Sequence, residues 1–195
     1  MEWQVDIISM SFGFSDETEQ GCDELRRAII AAHARNILMF AAASNSGAHG
    51  APAFPARHSN VFCIYAGDGM GNSGLMNLTA QRHSFNFCTL GEAVESAWPR
   101  ALSKYPWKCR KSGTSFSTAI AAGIAAFILL YARQNMAPNE AERFKQYDKM
   151  RDMLFQMSNR RHDYNVISIS NFFAKPADET RFLMKSVLAG TPWKT

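Results

Sequence analysis

Hydrophobic and polar residues follow each other in blocks over the first 70 residues, and the blocks predict strands joined by a helix. Residues 5–11, 37–43 and 61–66 are almost wholly apolar, as strands buried on both faces are. From about Thr18 to Arg35, apolar residues recur at three- and four-residue steps, which predicts an amphipathic helix. A strand, a helix and a strand in this order form a parallel pair with a right-handed crossover.

The longest apolar run, Ala119–Ala132, follows the polar segment Ser112–Thr118. Its 14 residues are fewer than the roughly 20 needed to cross a bilayer, so we expect a helix over residues 118–134 that is packed on all sides inside a globular domain, and no membrane partner. Gly123 lowers helix propensity, and we expect it to let another backbone come close.

A second amphipathic helix is predicted over Pro138–Met157, where five large apolar residues form one stripe: Phe144, Tyr147, Met150, Leu154 and Met157. Val166–Ile169 fits either a short strand or an extended docking segment. The expected architecture is a layered α/β/α core with a mostly parallel sheet over residues 1–135. A helical extension, residues 136–195, docks on it through Phe144, Tyr147 and Leu154.

Composition narrows the class of protein. The chain has 195 residues, 47% of them hydrophobic and 19% charged, as in a globular domain with a real core. The net charge is only +4, and the basic clusters Lys108–Lys111 and Arg160–His162 do not alternate with aromatic residues, so no nucleic-acid partner is expected. Met1–Gln4 lacks the basic start of a signal peptide, which favours an intracellular product.

The four cysteines are widely spaced and form no C-x-x-C pair, which argues against a zinc site. A disulfide framework remains open by count alone. No metal and no cofactor are predicted.

Ser115 is the first candidate for chemistry. It follows Gly113-Thr114 at the start of the apolar helix, where unpaired N–H groups and the helix dipole favour negative charge. Such a position suits a developing oxyanion, whereas the alternative is that Ser115 only caps the helix. Function in parallel sheets gathers at the carboxyl ends of strands, here Ser11–Gly13 and Ser44–Gly47.

The segment Gly113–Gly123, GTSFSTAIAAG, resembles the nucleophile segment of the subtilisin-like serine peptidases, commonly G-T-S-M-A-T/S-P-H-V-A-G. The resemblance implies that Ser115 is the nucleophile. Ala119 and Ile120 stand where the family has Pro and His, neither of which is catalytic there.

Two further segments carry the resemblance. Met10–Gly13 is similar to the family's substrate-binding strand M-S-L-G, and Ala41–Asn45 is similar to A-A-A-G-N, whose Asn helps hold the oxyanion. Asn45 thus becomes the expected oxyanion donor, with an Asx-turn residue as the alternative. Ser44 replaces the customary Gly, and Phe54-Pro55 is a candidate cis peptide. The substrate-binding residues that the resemblance implies are Ser11, Phe12, Gly13, Ala42, Ala43, Ser44, Phe54, Gly113 and Thr114.

A serine nucleophile needs a base and an orienting carboxylate. In the family the order is Asp, His, Ser, with Asp and His upstream of the strand that residues 5–11 resemble. None of the five histidines stands in an H-G-T context. We therefore expect a subtilisin-like domain truncated at its N-terminus, inactive alone, whose Asp and His come from an upstream segment.

Three functions remain open from the sequence. The first is a serine endopeptidase that cleaves peptide or protein substrates. The second is a non-catalytic module that binds an extended peptide by strand pairing. The third is a truncated fragment without a stable function, because lost flanking strands leave sheet edges open.

Overall fold

The structure is a computed structural model that describes residues 4–18, 20–47, 50–70, 72, 74, 76–99 and 108–191. Its eight strands are β1 (Ile7–Met10), β2 (Leu38–Ala42), β3 (Phe62–Gly67), β4 (Phe87–Leu90), β5 (Val94–Ala97), β6 (Lys108–Lys111), β7 (Ser158–Arg161) and β8 (Tyr164–Ile167). Its helices are α1 (Cys22–Ala34), α2 (Thr114–Asn135), α3 (Pro138–Glu142), α4 (Tyr147–Met157), α5 (Ser170–Phe173) and α6 (Ala177–Ala189), with a 3-10 turn at Arg143–Lys145.

Six strands form one sheet in the order β1-β2-β3-β4-β8-β7. All neighbouring pairs are parallel except β7 with β8, while β5 and β6 form a separate antiparallel ribbon. The predicted α/β class with a mostly parallel sheet is therefore confirmed. Because β1 and β2 are parallel, their carboxyl ends lie at the same end of the sheet. The predicted site residues follow these strand ends.

Helix α2 lies across one face of the sheet. Ala121, Ala125 and Ile128 are fully buried there, packed with Phe40 and Ile64 from the strands. Since alanine adds little bulk, the helix backbone lies close to the strands, and the nucleophile candidate at its start is held by the core.

Helix α2 is longer than the apolar run that predicts it. Its 22 residues are long and apolar enough to cross a membrane by length and composition, so the argument from 14 residues is wrong. Only half of its most apolar stretch is buried inside the fold, and Phe127 and Leu130 are exposed, so the prediction of a helix packed on all sides is wrong. The expectation for Gly123 is also wrong. A Cβ built there meets no atom of the described residues within 4 Å.

Helix α1 covers the other face, with Cys22 and Ile29 buried against Met10, Met39 and neighbouring residues. The helix begins at Cys22, four residues after the predicted start at Thr18. Gly21 precedes it with φ 90°, a left-handed conformation that glycine adopts without steric cost.

The helix predicted over 138–157 is broken into α3, the 3-10 turn and α4. Gln146 is extended, at φ −71° and ψ 133°, and interrupts it. Phe144 and Leu154 are nonetheless fully buried, and the Tyr147 ring stacks on Phe62 at 4.5 Å. Residues 164–167 form a strand that pairs with β4, which extends the sheet across the predicted boundary at 135. That boundary stays a prediction.

The four cysteines, Cys22, Cys63, Cys88 and Cys109, are all free thiols. The disulfide framework that their number leaves open is therefore not formed.

Candidate active site

Ser115 is the second residue of α2 and comes just after the turn that joins β6 to the helix. The N–H of Gly113 donates to the carbonyl of Gly91 at 2.8 Å and fixes this turn against the end of β4. A Cβ at Gly91 would come within 2.0 Å of Ser117 Oγ and 2.7 Å of Ala66 Cβ. Only glycine therefore fits at position 91 with the turn in this place.

Asn45 follows the carboxyl end of β2 and reaches the same turn. Its Oδ1 accepts the Thr114 backbone N–H at 2.8 Å and the Thr114 hydroxyl at 3.0 Å. Since Oδ1 is used in this way, the Nδ2 amide is the free donor, and no described residue accepts from it. Nδ2 lies beside Gly113, 3.5 Å from the position of a Cβ there.

The end of β1 holds the other side of Ser115. The Ser11 hydroxyl donates to the Ser115 carbonyl at 2.9 Å, and the Ser115 hydroxyl donates to the Ser11 carbonyl at 3.3 Å. The N–H of Ser115 belongs to the first helical turn, and no backbone group in the described part of the chain accepts from it. Ser115 is thus a half-exposed hydroxyl beside two unused N–H donors.

These residues meet in a cleft of about 200 Å³ lined by Ser11, Phe12, Gly13, Ala42, Ser44, Asn45, Ala53, Thr114 and Ser115. Eight of these nine are predicted site residues. Three others that the sequence predicts do not line the cleft. Gly113 lies behind it, next to Asn45, and Ala43 is fully buried with Tyr65 and Leu78.

Phe54 is the third residue away from the cleft. Its ring is fully buried among residues that pack on α1, with the Arg26 guanidinium 5.0 Å above it. The Phe54-Pro55 peptide is cis, as the sequence suggests. Phe54 is bridged to Phe14 by two backbone hydrogen bonds.

Sequence reasoning misses Ala53, which lines the cleft in place of Phe54. The bridge between Phe14 and Phe54 presses Ala53 onto Gly13, where a Cβ would lie 2.6 Å from that of Ala53. The signal in the sequence is the pairing of a glycine after β1 with a small residue before Phe54.

No histidine among the described residues lines the cleft. The His33 ring contacts Tyr147 at 6.1 Å, whereas His58 and His83 line a different cavity at the amino ends of β3 and β4. His162 lies in the turn between β7 and β8 with φ 51°. His49 lies outside the described residues. The residues that line the cleft thus include the Ser115 hydroxyl and N–H donors, but no histidine, Asp or Glu side chain that could take the proton of Ser115.

Known proteins that are similar to this chain include two with subtilisin names. The chain is 30% identical over 142 residues to the subtilisin-like protease het-Q2 of Podospora anserina, covering 71% of this chain and 38% of that protein. It is 31% identical over 140 residues to subtilisin DY of Bacillus licheniformis, covering 66% of this chain and 46% of that protein. The chain thus matches less than half the length of both relatives.

Solved structures share the fold. The prenylagaramide maturation protease PagA matches with a TM-score of 0.65 at 23% identity, over 82% of this chain and 54% of that one. The S218A mutant of the PatA protease domain matches with a TM-score of 0.68 at 23% identity, over 94% of this chain and 61% of that one. At this identity the likeness concerns the fold.

The family model Peptidase_S8, described as the subtilase family, matches residues 1–170. The match extends beyond residues 5–134, the part in which the sequence motifs lie, and takes in β7 and β8. It covers far more than half of the chain, and the two curated relatives carry subtilisin names. The chain belongs to the subtilase family, Peptidase_S8.

Proposed function

We propose that this chain provides the substrate-binding and nucleophile half of a serine endopeptidase that acts on peptide or protein substrates. The observation that carries the proposal is the hydrogen bond from Thr114 N–H to Asn45 Oδ1, because it turns the Asn45 amide N–H groups toward the cleft that holds Ser115. The carbonyl group of the substrate would lie between the Asn45 amide and Ser115.

In the proposed reaction, Ser115 Oγ attacks the carbonyl carbon of the scissile peptide while its proton passes to a base. The carbonyl oxygen becomes an oxyanion that accepts from Asn45 Nδ2 and from the Ser115 N–H. Collapse of this intermediate breaks the C–N bond, the leaving amine takes the proton, and water then hydrolyses the acyl group on Ser115.

The base and its orienting Asp are proposed to come from an upstream polypeptide segment. Two exposed features of the chain support this. β1 lies at one edge of the six-stranded sheet and ends next to Ser11, whose carbonyl accepts from the Ser115 hydroxyl. The outer side of α2 exposes Phe127 and Leu130, which are 42% and 53% accessible.

We call Gly123, Phe127 and Leu130 the outer face of α2. Contiguous exposed apolar surface marks an interaction site on a protein. We propose that the upstream segment covers one or both of these features. The relatives, which are more than twice as long as their matched portions, are long enough to contain such a segment.

The test compares this chain with an extended chain that carries the sequence encoded directly upstream of Met1. We expect the extended chain to hydrolyse a labelled casein substrate, this chain alone to show no detectable hydrolysis, and Ser115→Ala to abolish the activity. Phe127→Glu and Leu130→Lys should lower it. Phe182→Glu, on an exposed ring of α6 that is 69% accessible, serves as the matched control and should not. An extended chain with no hydrolysis would overturn the proposal.

The second candidate is a peptide-binding module without hydrolysis. It is favoured by the cleft itself, which no described histidine or acid lines. It predicts that the extended chain binds peptide equally well with Ser115 or Ala at position 115 and releases no cleavage product.

A further inference from the structure

A second cavity lies away from the Ser115 cleft and shares no lining residue with it. It has a volume of about 450 Å³ and opens at the amino ends of β3 and β4, under the first turn of α4. We call it the Tyr147 cavity, after the ring that contributes to its wall. Its volume is within the range of about 300–1,000 Å³ that small-molecule sites occupy.

Two stacked pairs of aromatic rings lie at the wall of the Tyr147 cavity. Tyr147 stacks on Phe62 at 4.5 Å with an interplanar angle of 28°, and Phe85 stacks on Phe87 at 5.5 Å and 13°. The two pairs are linked by the Phe62–Phe87 contact at 6.2 Å. Phe62 and Phe87 are almost fully buried, so a flat ring entering the cavity meets the half-buried rings of Tyr147 and Phe85, with which it can form offset or edge contacts.

Two arginines line the cavity beside these rings. Arg151 lies 5.1 Å over the Phe85 ring and uses Nε and Nη2 on Asp152, at 2.9 and 2.7 Å, so that Nη1 remains without an acceptor in the described part of the chain. Arg57 binds Glu17 through Nε and the carbonyls of Ser15 and Pro52 through Nη1, which leaves its Nη2. Each guanidinium therefore keeps donors for a ligand.

His58 adds a further donor. Its Nδ1 accepts the Asn60 N–H at 3.2 Å, so in the neutral ring Nε2 carries the proton. Burial, and then the nearby Arg26, lowers the pKa of His58, which keeps the ring neutral near pH 7. No Asp or Glu side chain of the described residues lines the cavity.

The acids that accompany the arginines limit the charge of the ligand. Glu17 pairs with Arg57 and also with Arg26, while Asp152 pairs with Arg151, and neither acid lines the cavity. A ligand thus meets N–H donors first, but it meets little excess positive charge. This combination suits one carboxylate rather than a polyanion.

We propose that the Tyr147 cavity binds a small aromatic carboxylate. The ring packs against Tyr147 and Phe85, and the carboxylate accepts hydrogen bonds from the spare N–H groups of Arg57 and Arg151. Hydrogen bonds of this charged kind are the stronger ones in proteins. The site is independent of the proposed peptidase chemistry, since no residue of the Ser115 cleft takes part.

The test titrates the 195-residue chain with 2-naphthoate and measures the heat of binding by isothermal titration calorimetry. We expect a dissociation constant of about 1 mM or tighter, given the ligand efficiency typical of drug-sized compounds. The neutral 2-naphthamide, which has the same rings, should bind at least about tenfold more weakly, because it loses the charge-assisted hydrogen bonds.

Two variants locate the site. Arg151→Gln should weaken 2-naphthoate binding by about tenfold. Its matched control is Arg181→Gln, which also removes an arginine paired to a nearby acid, Asp178 on α6, and should leave binding unchanged. Ala51→Trp places a large ring at an exposed lining position and should abolish binding without deleting any contact. Thermal unfolding midpoints confirm that each variant is folded.

Four results would each overturn the proposal. They are no heat of binding up to millimolar probe, equal binding of the amide and the carboxylate, equal effects of Arg151→Gln and Arg181→Gln, and full binding by a folded Ala51→Trp chain.

Discussion

Asn45 and Thr114 are joined by a 2.8 Å hydrogen bond from the Thr114 backbone N–H to Asn45 Oδ1, although 69 positions separate them in the chain. The bond connects the loop after β2 to the first turn of α2. It satisfies one of the helix N–H groups that have no partner within the helix. It also fixes which atom of the Asn45 amide accepts and which can donate, so fold and proposed chemistry meet at one contact.

Replacing Asn45 separates these two roles. Asn45→Ala removes the acceptor for Thr114 N–H and should lower the free energy of unfolding by about 1–2 kcal/mol. Asn45→Asp keeps an acceptor at the same place, and a negative charge at a helix start is favourable, so the free energy of unfolding should change little. Urea denaturation of this chain measures both.

In the extended chain, which we propose to be active, the two variants should behave alike, because both lack the Nδ2 donor. We expect each to lower the acylation rate by about 10²–10³-fold, as loss of one oxyanion donor does. An Asn45→Asp chain with full activity would show that Asn45 only holds the turn.

Gly91 and Gly123 should respond in opposite directions to the same change. Gly91→Ala drives a methyl group against Ser117 Oγ and Ala66 Cβ, and we expect it to destabilise the fold by about 1–3 kcal/mol. Gly123→Ala meets open space in the middle of α2 and should stabilise by about 0.5–1 kcal/mol. Equilibrium unfolding of the two variants side by side checks the pair. A stable Gly91→Ala chain would mean that the turn before Ser115 is not packed as described.

Asp6, which directly precedes β1, forms ion pairs with two helical elements. Its carboxylate lies 2.7 Å from Arg133 at the end of α2 and 2.9 Å from Lys145 in the 3-10 turn. The hydrogen bond from Arg133, followed by the effects of Lys145, lowers the pKa of Asp6 against the opposing effect of burial.

A depressed pKa in the folded state stabilises the fold at pH values above the unfolded pKa of about 3.8, and this contribution is lost as the pH falls through the depressed value. Asp6→Asn should therefore cost stability at pH 7, by about 1 kcal/mol or less because the carboxylate is partly exposed. The difference from the unchanged chain should shrink below about pH 4. A difference that stays constant from pH 7 to pH 3 would contradict the assignment.

The parallel core could be predicted from the sequence because its strands are short, continuous and apolar. Residues 37–43 and 61–66 have apolar side chains on both faces of the strand, which fits a parallel sheet covered on both faces. The length of α2 could not be predicted from the apolar run alone, since Thr114 and Ser117 are polar yet buried within the helix. The break at Gln146 carries no Gly or Pro, so local sequence gives no sign of it.

The candidate site was predictable where it depends on backbone order. Ser11 and Asn45 come after the carboxyl ends of β1 and β2, and Ser115 lies in the first turn of α2. All three positions are at the same end of the sheet. Side-chain direction was the part that failed. Ala43 and Phe54 stand next to cleft residues in the chain, but alternation along the strand and the bridge to Phe14 turn them into the core. The role of each residue in catalysis stays a prediction.

The most direct measurement is the mass of the intact protein after reaction with a fluorophosphonate probe, on this chain and on the extended chain. Without a base, Ser115 should retain only the small acceleration that an oxyanion hole and binding provide, roughly 10³–10⁴-fold over water, and the isolated chain should stay unlabelled in an ordinary assay. The extended chain should gain one adduct, located at Ser115 by peptide mapping and absent from the Ser115→Ala variant. Rapid labelling of the isolated chain that is lost when one of its own five histidines is replaced would contradict a base supplied from outside it.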